Sequence, residues 1–469
     1  MKKSEPELDR KNVLVVGLGI SGMALVRFLC KKGSNVTVTD LASEDKLGSF
    51  VLKCRQMGVH LELGGHRPKS FQKADMIVIS PGVPLAIPQL IRAIEEGVPV
   101  FGEMELAYRY IHEPIIAVTG TNGKTTTTAV VGEMMKHSGK KVFVGGNIGD
   151  PLIGFVEREE KVDVVVAEVS SFQLDTALTF SPKVGILLNV TPDHLDRYPN
   201  LDAYARAKGR LFEKQKEGDA AILNGSDPAV RKVTTGIQSR KLFFGYLGAT
   251  EEGAIISEDR IRVSFLEMGQ GKACDIRIGE KRMVTEHFDL TGTQFKGRYS
   301  RENAAAASLA SLAAGGNARG IQSALNSFKG LPHRLEPVEN IGGIRFVNDS
   351  KATNVFSVIC ALDSFSEPVI LIMGGRDKGS DFRILTDWVR KHVKIIILIG
   401  EAAPLIRKAL AGAASMRDAA GMEEAVISAY REARPGDVVL LSPACASFDM
   451  FTNYTHRGDE FRKAVMGLK

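Results

Sequence analysis

The sequence has little of what marks several special classes of protein. It contains 5 cysteines and 1 tryptophan in 469 residues. The cysteines are spread along the chain without a CxxC pair, which predicts neither a disulfide framework nor a thiolate zinc site and indicates a reducing compartment. They are Cys30, Cys54, Cys274, Cys360 and Cys445.

An excess of one charge and long apolar runs are also lacking. The 61 basic and 55 acidic residues leave a net charge of +6, which is too small to predict a nucleic-acid-binding surface. The strongest apolar runs, such as VKIIILIG at 393–400, have the length of a strand, whereas a membrane helix needs about 20 residues. Glu5, Glu7 and Asp9 interrupt the N-terminal pattern, so no secretory signal is predicted. We expect a cytoplasmic protein that binds neither nucleic acid nor a membrane.

Short β-branched runs alternate with helical stretches along the whole chain. Their apolar residues are continuous rather than alternating, which predicts strands buried on both faces, parallel sheets covered by helices, and hence an α/β fold. The runs are VLVVG (13–17), NVTVTD (35–40), MIVIS (76–80), IIAVTG (115–120), DVVVAEV (163–169), VGILLNV (184–190), VILIMGG (369–375), IIILIG (395–400) and DVVLLS (437–442).

Two breaks in this pattern divide the chain into three predicted domains, 1–110, 111–331 and 332–469. The first break is HEPI at 112–115, and the second is GLPHR at 330–334, which follows an alanine-rich helix. Between about 219 and 295, the short segments KLFFGY, AIISEDRIRVSF and CDIRI predict an antiparallel excursion within the middle domain.

The first strand runs directly into GLGISG. Gly17, Gly19 and Gly22 form a G-x-G-x-x-G pattern, and Asp40 ends the next strand. Such a turn brings backbone N–H groups at a helix N-terminus close to a diphosphate. The pattern favours a dinucleotide or nucleotide-diphosphate site and does not identify the nucleotide.

A second glycine-rich turn, GTNGKTTTT, follows strand IIAVTG. Gly120 and Gly123 can present N–H groups to phosphates, Lys124 can reach the β and γ phosphates, and Thr125 can ligate magnesium. The first glycine of a strict Walker A pattern would fall at Val118, so the motif is a variant. It predicts ATP binding.

Acidic and histidine side chains follow the next strands of the middle domain. Glu168 lies near the end of one strand, and Asp193, His194 and Asp196 follow another. Ligands of parallel sheets gather at the carboxyl ends of strands, so we expect these groups to face the phosphate loop. Alone, each would be interpreted as a cap or ion-pair residue, and Lys208 as a solvated lysine on a helix.

The third domain has four loops, LPHRLE, NDSKATN, MGGRDKG and SPACASFDMF, each at a strand end or in a turn. Each could be a surface turn, but four of them in one domain indicate a binding face. Their cationic side chains are Arg334, Lys351, Arg376 and Lys378, and Asp349 can accept hydrogen bonds from a ribose.

In this order, GTNGKTT, AEVSSFQL, NVTPDHLDRY, LPHRLE, NDSKATN and SPACASFDMF resemble the Mur ligase family of peptidoglycan synthesis, over nearly the whole chain. GLGISG, SPGVPL at 80–85 and SPACASFDMFTNYTHRGDEF are similar to the member that adds D-glutamate to UDP-N-acetylmuramoyl-L-alanine. The third domain has no DNPR string, which disfavours the m-diaminopimelate-adding member.

The resemblance implies a Rossmann-like UDP-binding first domain, a P-loop ATPase-type second domain and a Rossmann-like third domain that binds the amino acid. It also implies a cytoplasmic monomer that forms an amide bond through an acyl phosphate and releases ADP and phosphate. The implied cofactors are ATP and two Mg²⁺ ions, for which Mn²⁺ can substitute.

Residue by residue, the resemblance implies four sites. Those for ATP are Gly120, Thr121, Asn122, Gly123, Lys124, Thr125, Thr126, Asn303, Arg334, Asp349 and Lys351. Those for metal are Thr125, Glu168, His194 and a carboxylated Lys208, and the catalytic groups are Lys124, Glu168, His194 and Lys208. The UDP-substrate would meet Gly19, Ile20, Ser21, Asp40, Ser80, Gly82, Asn147 and His194. D-Glutamate would meet Thr353, Lys378, Ser447 and Tyr454.

The sequence departs from the family pattern at two places. Tyr299 and Ser300 stand where the family has His-Asn before the adenine-side Asn303, and Tyr454 stands where it has Phe. Because ATP and acceptor groups lie on different domains, we also expect the third domain to close on the second during turnover.

Three other functions are compatible with parts of the sequence. GLGISG and Asp40 alone would fit an NAD-linked oxidoreductase, although that leaves the phosphate loop unexplained. The phosphate loop alone would fit an ATPase switch or binding module. A sibling ligase, either the L-alanine-adding member or a folylpolyglutamate synthetase, shares the GTNGK core, and the UDP-type first domain argues against the latter.

Overall fold

The computed structural model describes residues 3–195, 197–248, 252–267 and 282–469. Asp196, Cys274 and the CDIRI segment lie outside these ranges. The described chain contains three sheets, one after another in sequence. We call each sheet with its covering helices a unit. No helix in the described ranges has both the length and the apolar character needed to cross a membrane.

The first unit is a parallel five-stranded sheet in the order β3-β2-β1-β4-β5. Its strands are β1 (Asn12–Val16), β2 (Asn35–Asp40), β3 (His60–Leu63), β4 (Met76–Ile79) and β5 (Val100–Gly102). Its helices are α1 (Ile20–Lys31), α2 (Glu44–Leu47), α3 (Ser49–Gln56), α4 (Pro68–Lys73) and α5 (Pro88–Glu95). Helix α6 (Glu103–Tyr110) connects this unit to the next.

The second unit is built on a nine-stranded sheet in the order β14-β13-β12-β11-β10-β9-β6-β8-β7. Its strands are β6 (Ile115–Thr119), β7 (Val142–Gly146), β8 (Val164–Glu168), β9 (Val184–Leu187), β10 (Ala220–Asn224), β11 (Arg240–Gly245), β12 (Gly253–Ser257), β13 (Arg260–Glu267) and β14 (Arg282–Asp289). Its helices are α7 (Lys124–His137), α8 (Leu152–Arg158), α9 (Ser171–Asp175), α10 (Leu201–Gly209), α11 (Pro228–Val233), α12 (Arg298–Ala313) and α13 (Ala318–Ser327).

The third unit is a six-stranded sheet in the order β15-β16-β20-β17-β18-β19. Its strands are β15 (Glu336–Ile341), β16 (Ile344–Asn348), β17 (Val369–Gly374), β18 (Val393–Ile399), β19 (Ser415–Asp418) and β20 (Val438–Leu441). Its helices are α14 (Val355–Leu362), α15 (Thr386–His392), α16 (Ala403–Ala409), α17 (Met422–Glu432) and α18 (Tyr454–Met466).

The strand pairings confirm the predicted α/β class and the antiparallel excursion. In the second unit, β12 pairs antiparallel with β13, and β13 with β14, while the remaining pairings are parallel. The KLFFGY run forms β11, which is parallel to both of its neighbours. The excursion therefore begins one strand later than the sequence pattern indicates.

The apolar core is continuous between the first and second units but not into the third. One buried cluster joins Val15 and Phe28 of the first unit to Phe155 and Tyr204 of the second. The fully buried members of the two clusters in the third unit all come from that unit, and only the partly buried Tyr299 of α12 packs onto them from outside. The third unit thus contacts the rest of the protein with little shared apolar core.

Helix α6 fastens the first two units together through buried carboxylates. Glu105 is fully buried and accepts hydrogen bonds from the backbone N–H groups of Leu178, Thr179 and Phe180 at 3.0, 2.9 and 3.2 Å. Its other oxygen accepts from Arg109 Nε at 3.0 Å. Because charges and amide groups away from water need partners, this set of bonds fixes the 178–180 segment to α6.

Replacing Glu105 by alanine should lower the free energy of unfolding by about 3–5 kcal/mol, because the buried Arg109 and three N–H groups lose their acceptor. Urea unfolding followed by circular dichroism measures the change. Arg92→Ala is the matched control, because it breaks an ion pair whose side chains are 65% and 38% exposed and should cost less than about 1 kcal/mol. Equal losses in both variants would contradict the assigned role of Glu105.

Candidate functional site

The phosphate loop lies between β6 and α7, as predicted. Gly120 and Gly123 adopt φ angles of 148° and 85°, in the region that favours glycine. Lys124 Nζ donates to the carbonyl oxygens of Gly120 and Thr121 at 2.9 and 2.8 Å. Burial lowers the pKa of Lys124, and the nearby Glu168 opposes that shift. The loop thus surrounds one amino group at the N-terminus of α7.

Residues after β9 hold the phosphate loop in shape. Asn189 Oδ1 accepts from the backbone N–H of Asn122 at 2.9 Å, and Asn189 Nδ2 donates to the backbone carbonyl oxygen of Asn122 at 3.1 Å. The N–H of Thr191 donates to Thr121 Oγ1 at 3.0 Å. Sequence reasoning missed Asn189 and Thr191. Their position directly after a buried strand, within the NVTPDH segment itself, is the signal that could have found them.

Lys208 lies under the phosphate loop instead of in solvent. Its side chain projects from α10, is 1% exposed and donates from Nζ to Gly120 O at 2.9 Å. The same carbonyl accepts from Lys124, and Lys208 Nζ lies 4.4 Å from the centre of the Tyr204 ring. Burial, reinforced by the charge of Lys124, lowers the pKa of Lys208 well below its usual value. Burial therefore disfavours the charged form of this amine.

Glu168 ends β8 and is 2% exposed. Its Oε1 accepts from Asn147 Nδ2 at 2.8 Å, while Oε2 is buried and has no hydrogen-bond partner among the described residues. A buried carboxylate oxygen without a donor is costly unless a cation compensates it. No set of three His, Cys, Asp or Glu side chains converges on a metal position within the described residues. A cation at Glu168 would therefore need other oxygen ligands as well.

His194 follows β9 in the strained left-handed conformation, with φ of 55°. Asp193 Oδ1 accepts from the backbone N–H of His194 at 2.9 Å. The imidazole ring packs edge-on against Phe172, with ring centres 4.9 Å apart. Burial lowers the pKa of His194, and the charge of Lys378 from the third unit adds to that effect while Asp193 opposes it. The charged form of the ring is thus disfavoured at a position within electrostatic reach of Lys124 and Lys378.

A cleft between the second and third units begins at the phosphate loop. Arg334 Nη2 donates to Thr125 Oγ1 at 2.9 Å across this cleft. Its lining includes the predicted ATP residues Asn122, Gly123, Thr126, Asn303, Arg334 and Asp349, together with Tyr299, Ser300 and Cys360. Burial raises the pKa of Asp349 to about 7. The second and third units thus share one candidate nucleotide site.

The family departure at 299–300 is accommodated by packing. Tyr299 packs edge-on against Phe356 of α14, with ring centres 5.0 Å apart. Ser300 lines the same cleft as Asn303. Tyr299 therefore forms part of the wall between the two units.

The loops MGGRDKG and SPACASFDMF lie side by side at the carboxyl ends of β17 and β20. Arg376 and Ala446 exchange two backbone hydrogen bonds, of 2.9 and 3.0 Å. This pairing brings Lys378 and the buried Ser447 to one edge of the sheet. The side chain of Arg376 forms an ion pair with the exposed Glu401 at 3.0 Å. This cation is therefore engaged in a surface ion pair.

Lys351 and Tyr454 come together at the same edge of the third unit. Lys351 Nζ lies 3.7 Å from the centre of the Tyr454 ring. The charge of Lys351 lowers the pKa of Lys124, which places it within electrostatic reach of the phosphate loop. Thr353 is half-buried in the segment that follows Lys351. The predicted ATP and amino-acid residues of this unit thus adjoin one another.

The glycine-rich turn of the first unit forms a separate cleft of about 570 Å³. Gly22 has no room for a side chain, because a Cβ there would lie 2.0 Å from Gly17 O. Asp40 accepts from the N–H groups of Leu18 and Ala42, both at 2.7 Å, and Ser80 Oγ donates to Gly17 O at 2.9 Å. The predicted residues on its lining are Gly19, Ile20, Ser21, Asp40, Ser80, Gly82 and Asn147. His194 is not part of it.

We expect Gly123→Ala to weaken nucleotide binding at least about tenfold, because a Cβ would lie 2.4 Å from Asn303 Oδ1 on a left-handed backbone. Isothermal titration calorimetry with ATP measures the change. Gly139→Ala is the control, since its φ of +84° is matched and its Cβ would meet nothing within 4 Å. The same loss of affinity in both variants would show that backbone strain alone, and not the Asn303 contact, is responsible.

Comparison with known proteins identifies the family. Three family models match the chain: "Mur ligase MurD-like, N-terminal domain" at 11–102, "Mur ligase middle domain" at 118–311 and "Mur ligase, glutamate ligase domain" at 333–445. The UDP-N-acetylmuramoylalanine--D-glutamate ligase of Desulfosudis oleivorans is 48% identical over 99% of this chain and 98% of its own length. The enzyme of that name from Desulfatibacillum aliphaticivorans is also 48% identical, over 98% and 99%.

Solved structures agree in fold. MurF ligase from Thermotoga maritima in complex with ADP has a TM-score of 0.60 at 16% identity and covers 100% of both chains. UDP-N-acetylmuramate-alanine ligase MurC from Thermotoga maritima has a TM-score of 0.58 at 19% identity and covers 98% of this chain and 100% of its own. The resemblance read from the sequence motifs is confirmed, and this chain belongs to the Mur ligase family.

Proposed function

We propose that the protein is an ATP-dependent amide ligase that adds D-glutamate to UDP-N-acetylmuramoyl-L-alanine through an acyl-phosphate intermediate. The observation that carries the proposal is the convergence of three groups of residues. Lys208 donates to Gly120 of the phosphate loop. Lys378 of the third unit lies close enough to His194 to lower its pKa. The names of the relatives that match over nearly their full length support this substrate pair.

ATP would lie in the cleft between the second and third units. Lys124 and the N–H groups of the loop would hold the β and γ phosphates, and Arg334 would reach them from the opposite side, since it already contacts Thr125. Asn303, pressed against Gly123, would meet the adenine, with Lys351 near the phosphates and Asp349 near the ribose. Thr121, Asn122 and Thr126 complete the proposed binding loop.

The UDP-substrate would occupy the cleft of the first unit. Its diphosphate would face the N-terminus of α1 at Gly19, Ile20 and Ser21. Asn147 lines this cleft and also donates to Glu168, so the far end of the cleft opens at the phosphate loop. The alanine carboxylate would therefore arrive beside the γ phosphate of ATP.

Two Mg²⁺ ions, or Mn²⁺ in their place, fit the donor set as a proposal. The unpaired Glu168 Oε2 and the hydroxyl of Thr125 are hard oxygen ligands for one ion. His194 and a carbamate on Lys208 would serve the other. Only an uncharged amine adds CO2, and burial lowers the pKa of Lys208 in that direction. When bound, the ions would neutralise charge on the transferred phosphoryl group.

The residues of the chain then account for both steps of the reaction. Lys124 and Arg334 stabilise the charge that develops on the γ phosphoryl group while the alanine carboxylate attacks it. In the second step the D-glutamate amine attacks the acyl phosphate and phosphate leaves. Lys378 would bind a carboxylate of D-glutamate, with Thr353, Ser447 and Tyr454 around the rest of the amino acid.

The purified protein with ATP and Mg²⁺ should release ADP only when both UDP-N-acetylmuramoyl-L-alanine and D-glutamate are present. A coupled ADP assay tests this, with L-glutamate, L-alanine and a blank as controls. ADP release without the UDP-acceptor would favour an ATPase instead. ADP release with a different amino acid would support the ligase chemistry and contradict the assignment of D-glutamate to the loops of Lys378 and Ser447.

Lys208→Ala should abolish ligation, and added short carboxylates such as formate or acetate should restore part of it if a carbamate supplies the missing anion. The ADP assay measures recovery against carboxylate concentration. Lys216→Ala, an exposed lysine after the same helix, is the control and should retain the original rate. Full activity of Lys208→Ala would contradict the proposed role of the buried amine.

A further inference from the structure

Asn354 is the N-cap of α14 in the third unit, and its side chain reaches the second unit. Its Oδ1 accepts from the backbone N–H of Ser357 at 2.9 Å. Its Nδ2 donates to Asn122 Oδ1 at 3.2 Å and to Asp193 Oδ2 at 3.1 Å. One amide therefore caps a helix in its own unit and contacts the second unit at two points.

The orientation of this amide follows from its partners. The N–H of Ser357 can only donate, so it must face the oxygen of Asn354. The carboxylate of Asp193 can only accept, so it must face the nitrogen. The donor end of the amide is thus committed to the interface, and the acceptor end to helix α14.

The two partners of this amide belong to different parts of the reaction site. Asn122 lies in the phosphate loop, between Thr121 and Gly123, and its Oδ1 also accepts from Ser357 Oγ at 2.8 Å. Asp193 fixes the left-handed turn at His194 through the 2.9 Å bond to its N–H. Few apolar contacts hold the third unit in place, so polar contacts of this kind govern its docking.

We propose that Asn354 is a positioning residue that aligns the phosphate loop with the Asp193–His194 turn only when the third unit is docked. The proposal rests on the proposed ligase function and adds a role that the substrate contacts do not include. A docked third unit brings the loops of Lys378 and Ser447 to the site. Through Asn354 it also fixes the phosphate loop at Asn122 and the turn at Asp193. An undocked unit leaves Asn122 and Asp193 without this shared donor.

Asn354→Asp isolates the donor end of the amide. Aspartate has the same shape and caps a helix as well as asparagine does, so the bond from the Ser357 N–H is retained. The variant places a carboxylate beside Asp193, where Lys124, Lys208 and His194 are the other titratable groups nearby. A hydrogen bond is thereby replaced by repulsion without removal of the cap.

We expect Asn354→Asp to lower kcat at least about tenfold, while KM for the UDP-substrate and the thermal midpoint stay unchanged. The UDP cleft is formed by the first and second units alone, which is why its KM should not move. Asn354→Ser also caps the helix, but its side chain is too short to reach the second unit. It should likewise lower kcat and leave KM for the UDP-substrate unchanged. Unchanged kcat in both variants, or a proportional rise of KM for the UDP-substrate, would overturn the proposal.

Ser357→Ala is the matched control, because it removes the hydroxyl contacts to Asn122 Oδ1 and Asn354 Oδ1 and leaves both bonds that Asn354 Nδ2 donates across the interface. Its kcat should fall less than about threefold. Because Asn122 and Asn354 act as one unit, Asn122→Ala should cost less in the Asn354→Ser background than in the original protein. Simple additivity of the two losses would contradict a direct bridge.

Small-angle scattering separates failure of this proposal from failure of the ligase assignment. With a non-hydrolysable ATP analogue and Mg²⁺, the original protein should contract, and Asn354→Asp should contract less. This readout needs no acceptor and no D-glutamate. Equal contraction would overturn the bridge even if ligation is confirmed, while absent ligation by the original protein would refute the assigned function alone.

Discussion

Two amino groups share one carbonyl oxygen, and the arrangement of the site depends on how that conflict is resolved. Lys124 and Lys208 both donate to Gly120 O at 2.9 Å. Two ammonium ions so close together in a buried place would repel each other strongly. The carboxylates of Glu168 and Asp193 oppose the loss of charge at both lysines. Lys208 is the more deeply buried amine, and its pKa is the one that lies well below the usual value.

The distribution of apolar and polar contacts explains how the three units cooperate. The first two units share a core and the Glu105 bonds, so the cleft of the first unit and the phosphate loop keep a fixed distance. The third unit contacts the second through hydrogen bonds of Arg334, Asn354, Ser357 and Asp363, and through the packing of Phe356 against Tyr299. Such bonds exchange readily with water, whereas a shared apolar core does not. From this difference we expect the third unit, and not the first, to move relative to the phosphate loop.

Much of the fold and the placement of the main site could be predicted from the sequence. Continuous apolar runs give the parallel strands, and both glycine-rich turns lie where strand and helix meet. Side chains at the ends of neighbouring strands, such as Glu168 and His194, were expected on one edge for topological reasons. The family resemblance supplied Lys208, which the helix pattern alone would have placed in solvent.

The remaining features depend on tertiary contacts that no local pattern contains. The carboxylate of Asp40 has the spacing of a ligand-binding residue, yet both of its oxygens accept backbone N–H groups. Asn354 reads as a helix cap, and its second role arises only because the phosphate loop, far away in sequence, lies within reach of its amide. From the sequence, Tyr299 suggests the loss of a polar contact. In the structure its ring packs against Phe356 of the third unit instead.

The separation of the cores also bears on how the molecule comes apart. A segment with its own buried clusters and mainly polar contacts to its neighbours can unfold as an independent cooperative unit. The third unit meets that description, whereas the first two cannot lose structure separately without exposing their common core. We therefore expect two cooperative transitions for the three sheets, of which only the larger would destroy the phosphate loop.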